Sequence, residues 1–144
     1  MKIKGYKKVG YGVLGAVAIL LLTFGHVLAE DAQVKVLTRT SSSWDGAPLP
    51  NYPEGKPEIS ILRIEIPPGT QLPWHKHPVI NAGVLLKGEL TVESEDHHML
   101  HLKAGDSIVE LVNKWHYGKN EGTTPAEIIV FYAGVQGTPI TVKK

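Results

Sequence analysis

The stretch at residues 74–81 reads WHKHPVIN, and its reading decides the fold. His75 and His77 stand two positions apart. In a strand, side chains alternate between faces, so both imidazoles leave the same face with Cα atoms about 6.5 Å apart. Two rings at that spacing can converge on one ion at about 2.0–2.1 Å per bond. Pro73 and Pro78 bracket the pair and argue against a helix. The competing reading is a polar strand with two solvated histidines.

Working outward, residues 59–66 are β-branched and strand-like. Their apolar positions are 59 and 61, then 62, 64 and 66, and this change of phase predicts a bulge near Ile61 and Leu62. Pro67-Pro68-Gly69-Thr70 is a turn that leads into the histidines. Residues 82–87, 89–94, 99–102, 107–112 and 115–119 read as short strands separated by polar or Gly-containing turns. Residues 126–133 are apolar in both phases, which predicts a central strand. Residues 140–142 close the series. Residues 34–39 alternate weakly and predict a first strand. Residues 40–57, rich in Ser, Gly and Pro, read as a loop that packs Trp44 and Tyr52 over a rim. No segment sustains a 3.6-residue apolar period. The expected fold is therefore all-β, a sandwich or barrel over 58–144 preceded by a strand-and-loop segment over 30–57.

The chain opens differently. Lys2, Lys4, Lys7 and Lys8 form a basic start, an apolar run follows to about Phe24, and Val27-Leu28-Ala29 supplies a cleavage pattern. Residues 1–29 read as a signal peptide, cleaved near Ala29, which predicts a periplasmic or secreted protein. The alternative is a retained anchor in the inner membrane. No Cys lies near Ala29, which excludes a lipid-anchored form. The whole chain has 15 Lys+Arg against 14 Asp+Glu, and loss of the four lysines leaves 11 against 14, or −3. With the basicity concentrated in the leader, nucleic-acid binding is not supported. With no cysteine, disulfides, thiolate catalysis and Cys-ligated zinc are excluded.

A third histidine, His116, lies in a late strand between Trp115 and Tyr117. Inward residues of different strands share one interior in a closed barrel. His75, His77 and His116 can then meet on one divalent transition metal: Fe, Mn, Ni, Cu or Zn. With no carboxylate ligand the ion keeps its +2 charge, which favours an anionic, oxygen-rich ligand.

At this point the sequence resembles the cupin superfamily. Gly69, His75, His77 and Gly88 match its first motif, G-x5-H-x-H-x3-E-x6-G, in residue type and spacing. Gly105, His116 and Asn120 match the second, G-x5-P-x-G-x2-H-x3-N. The resemblance implies a single jelly-roll β-barrel with one metal inside, held by the residues at 75, 77 and 116. The departures are Leu111 for Pro, Asn113 for Gly, and Asn81 where the first motif has a Glu ligand. Asn81 can bind the metal weakly, hydrogen-bond a metal-bound water, or stand aside. Three-histidine cupins include oxygenases, so the resemblance also implies dioxygenase-like chemistry as one outcome.

Gly69, Gly88 and Gly105 are read as turn residues, and Asn120 as a loop hydrogen-bonder. Trp74, Trp115 and Tyr117 fall in the phase opposite to the ligands. His97, His98 and His101 read as a solvated turn. Glu110, a carboxylate in an apolar strand, is either a general base beside the metal or an outward surface group. Val84, Leu86, Ile108 and Val130 are the expected pocket walls. Three functions compete: a metal-dependent enzyme of dioxygenase-like or isomerase-like type, a non-catalytic binder of a small molecule or metal, and a structural barrel with vestigial histidines. The expected partners are a small molecule and a second copy in a homodimer. A membrane enters only if the leader is retained.

Overall fold

The computed structural model describes residues 32–144. The signal or anchor segment 1–29 lies outside the described residues. The chain divides into two compact units, Met1–Gln33 and Val34–Lys144. Of the first, only Ala32 and Gln33 are described, and both are exposed. Among the described residues no helix is long and apolar enough to cross a membrane.

The second unit is built of strands alone. They are β1 (Pro57–Ile66), β2 (His75–Lys76), β3 (Ile80–Lys87), β4 (Glu89–Ser94), β5 (Met99–Lys103), β6 (Ser107–Val109), β7 (His116–Lys119), β8 (Ala126–Val135) and β9 (Val142–Lys143). They form two sheets, in the orders β1-β8-β3-β6 and β5-β4-β7-β2-β9. Every ladder between these strands is antiparallel. One buried cluster draws on both sheets, with Ile66, Leu85, Ile128 and Val130 from the first and Leu90, Val92 and Leu102 from the second. Each such side chain contributes about 1.5–3 kcal/mol of burial. The architecture is all-β and consistent with a jelly roll.

β8 occupies the centre of its sheet, paired along its length with β1 and β3. Its apolar character in both phases reflects that position: Ile128, Val130 and Tyr132 point to the core, and Phe131 lies 51% exposed on the outer face. β1 departs from expectation. Its register with β8 is unbroken from Pro57↔Val135 to Ile66↔Ala126, so there is no bulge at Ile61 and Leu62. The sequence is apolar in both phases because Ile59 and Ile61 sit beside Phe131 on the outer face while Ile64 and Ile66 face inward. Residues 34–39 form no strand; Val34 and Val36 are exposed and pair with nothing in either sheet. In the following loop Trp44 packs against the core, whereas Tyr52 is 76% exposed.

The motif residues outside the histidines shape turns. Gly69, Gly88 and Gly105 all have positive φ, from +69° to +97°. At Gly88 the turn also brings the chain against its neighbour: a Cβ there would lie 2.6 Å from the Pro125 carbonyl oxygen. Asn120 is fully buried and saturated. Its Nδ2 donates to Ile66 O and Thr124 O, and its Oδ1 accepts from Gly122 N.

Candidate metal centre

The short strand β2 lies between β7 and β9, which puts His75 directly opposite His116. Opposed residues of an antiparallel pair share a face. His77 follows two positions on in the same phase, where a bridge to Val112 steadies the backbone. The three rings gather around one point, tilted or edge-on to one another, with centroids 4.6–5.1 Å apart. Their ligating nitrogens all lie within 4.8 Å of one another.

The far side of each ring is tied to backbone. The Nδ1 atoms lie 2.7 Å from Pro73 O, 2.8 Å from Ile140 O and 2.9 Å from Lys114 O for His75, His77 and His116 respectively. Carbonyl oxygens only accept, so each Nδ1 carries the proton and each Nε2 is left with its lone pair free. A carbonyl on the far nitrogen is the usual means of orienting a metal-ligating imidazole. Burial lowers the basicity of all three: His75 and His116 fall below the ordinary histidine range, and His77 falls to about 4. At neutral pH the rings are therefore neutral, the form that binds a metal. His116 Nε2 is buried without a hydrogen-bond partner. These donors fit a divalent transition metal.

Glu110 lines the cavity in front of these rings, beside the cluster of the three nitrogens. It faces inward, 9% exposed, because it continues the phase of the buried Ile108. Its Oε2 is buried without a partner and lies 3.6 Å from His116 Nε2. Burial raises its pKa, opposed by the nearby rings of His77 and His75. Asn81 is also buried, but it does not line the cavity in front of the histidines. Its Nδ2 donates to Val79 O at 3.3 Å, and its Oδ1 has no partner.

That cavity measures about 270 Å³ and is walled mainly by aliphatic side chains, among them Leu62, Ile64, Val92 and Val130. Of the expected pocket residues, Val130 lines it and Val84, Leu86 and Ile108 do not. The inward phase of β3 is Asn81, Gly83 and Leu85, which turns Val84 and Leu86 to the other face. Ile108 is buried within the core cluster instead.

Two cavity residues carried no motif signal. Tyr132 packs edge-on against His77 with centroids 5.3 Å apart. Burial and the charge of Glu110 push its phenol to about 12, so it remains a proton donor. The sequence reading missed it, and the signal that could have found it is the shared phase with the inward residues 128 and 130. Lys143 pairs in register with His75 and sets a cation at the cavity wall.

On the opposite face, Trp74 meets Tyr117 at 4.8 Å, and Lys144 lies over both Trp74 and Trp115. His97, His98 and His101 do not converge: His97 bonds Glu93, and His101 bonds Thr91.

Residues 62–132 match a family described as the cupin domain. No curated protein sequence matches the chain. Among solved structures, the chain is similar to an oxalate oxidase at 27% identity and a TM-score of 0.50. That match covers 59% of this chain and 45% of the other, so the chain spans less than half the length of that enzyme. The DMSP lyase DddQ of Ruegeria pomeroyi matches at 22% identity and a TM-score of 0.53, over 69% of this chain and 47% of the lyase. An uncharacterized double-stranded β-helix protein of Klebsiella pneumoniae matches at 21% identity and a TM-score of 0.50, over 63% and 86%. The last two likenesses are of fold alone.

Proposed function

The chain belongs to the cupin superfamily, and from that premise we propose that it binds one divalent transition metal through His75, His77 and His116 and brings a small, oxygen-rich anion to it. The observation that carries the reading is the convergence of three neutral imidazoles whose Nδ1 protons are all held by backbone carbonyls. When bound, such an ion supplies Lewis acidity and a template for the ligand. The chain's own residues do the rest. Lys143 attracts the anion, the Tyr132 hydroxyl donates to a developing negative oxygen, and the aliphatic walls give the ligand an apolar surround. The similarity to an oxalate oxidase supports a compact carboxylate-type ligand. The turnover we propose is dioxygenase-like or isomerase-like, with binding of a small molecule or metal without turnover as the alternative.

The proposal includes export, with cleavage near Ala29, on the strength of the basic, apolar and small-residue order of the leader. It also includes a homodimer through the outer face of the first sheet, where Ile59, Ile61 and Phe131 are exposed together. Amino-terminal sequencing of the protein recovered from a periplasmic or culture fraction tests the first. Sedimentation of wild type against Phe131→Glu tests the second.

The central test is metal analysis. The purified protein should carry close to one equivalent of transition metal, and His116→Ala should carry none while keeping its β-sheet circular dichroism. Less than about a tenth of an equivalent, with no thermal shift on adding Mn(II), Fe(II) or Zn(II), would overturn the reading. Oxygen uptake and product analysis against a panel of small carboxylates and diketones then separate turnover from binding alone.

A further inference from the structure

We propose that Glu110 is the fourth protein ligand of the metal, delivering from the edge of the first sheet the carboxylate that Asn81, its cross-strand neighbour, does not supply. The inference rests on the metal reading above and deepens it.

β3 and β6 pair through Ala82↔Val109, and the next step of the ladder sets Asn81 against Glu110. The Glu110 N–H donates to Asn81 O at 3.0 Å. Residues opposed in this way project to one side of the sheet. Both are buried. Asn81 and Glu110 therefore stand on one face of the sheet, with Glu110 lining the cavity and Asn81 buried outside its wall.

Distance selects Glu110 as a donor to the ion. Oε2 and His116 Nε2 are 3.6 Å apart, too far for a hydrogen bond. Two donors held at about 2.0–2.1 Å from one ion are about 2.9 Å apart at a right angle and about 3.4 Å at the tetrahedral angle. The observed 3.6 Å gap is near the tetrahedral value, and the carboxylate, which stands beside the cluster of the three nitrogens, would complete it by turning toward the ion. Both atoms are buried and neither has another partner. A buried carboxylate without a counter-charge is costly, and a shared divalent ion removes the cost for both groups. A general base would need no such approach to His116.

The consequence for charge differs from a three-histidine site. One carboxylate reduces the ion's +2 to a net +1, and Lys143 at the wall restores attraction for an anion.

The test is calorimetric titration of Mn(II), a hard ion that favours carboxylate oxygen, into the metal-free full chain. The variants are Glu110→Gln, Glu110→Asp and the double variant Asn81→Glu/Glu110→Gln. The visible spectrum of the Co(II)-loaded proteins is recorded beside it. Glu110→Gln, equal in size and uncharged, should raise the Mn(II) Kd at least about tenfold and alter the Co(II) spectrum. Glu110→Asp should keep part of the affinity, and the double variant should recover most of it. An unchanged Kd and spectrum in Glu110→Gln, with His116→Ala still abolishing binding, would overturn the role of Glu110 and leave the histidine site standing. Absence of Mn(II), Fe(II) and Zn(II) binding in the wild type would overturn both.

Discussion

At the scale of the residue, the site depends on histidines kept neutral. Burial lowers all three, and His77 to about 4. An unfolded histidine titrates near 6.5. Between those values the unfolded chain takes up a proton that the folded one refuses, so stability is complete above about pH 6.5 and is lost as pH falls toward 4. Glu110 acts in the opposite sense: its raised pKa makes the folded state the better proton acceptor, which favours folding as pH falls through that value toward the ordinary carboxylate range. The two effects separate in metal-free Glu110→Gln, whose melting temperature should fall steadily from pH 6.5 to 4.5. A flat profile would show that the rings are not buried neutral. At pH 7 the neutral rings also release no protons on metal binding. Titrations in buffers of different ionisation enthalpy should therefore show no histidine contribution to proton release. Glu110 itself was only half legible in the sequence. Its inward phase follows from Ile108 two positions earlier, but its neighbour in space is Asn81, and that pairing joins strands far apart along the chain. No local pattern carries it.

At the scale of the element, the turns hold the ligand strands in place. Gly88 combines φ of +71° with a carbonyl 2.6 Å from where a Cβ would stand. Gly88→Ala should destabilise by about 2–4 kcal/mol, from the left-handed backbone and the displaced Pro125 together. Chemical denaturation measures it. Asn120→Ala removes the donor to Ile66 O and Thr124 O from a fully buried site and should cost about 1–3 kcal/mol. Neither change should alter the metal stoichiometry of the folded fraction. These turns were readable because glycine and asparagine at fixed spacing leave few alternatives. The strands between them were readable in number and less so in detail. Residues 34–39 alternate, yet no strand of either sheet takes them as a partner. The expected bulge in β1 mistook two apolar faces for a slip of phase, because outer-face neighbours such as Phe131 are invisible from one strand's pattern. Val84 and Leu86 were placed on the cavity by composition, whereas the pleat, counted from Asn81, turns them away.

At the scale of the whole molecule, the histidines and Glu110 do not belong to the same layer. His75 and His116 stand on β2 and β7 of the five-stranded sheet, with His77 just beyond β2. Glu110 continues β6, the edge of the four-stranded sheet. An ion bound by all four is a cross-link between the two sheets, in a chain that has no cysteine with which to make one. Metal loading should then raise the melting temperature by several degrees, since each kcal/mol of linkage shifts a domain of this size by about 4–8 °C. Glu110→Gln, still able to bind through the histidines, should lose most of that rise. Hydrogen exchange should show why: in the loaded wild type the amides of β6 should slow markedly, while those of β8, already paired on both sides, change little. The ion would serve this fold as a removable staple, so that a chelator would loosen one seam of the barrel and leave its central strands intact.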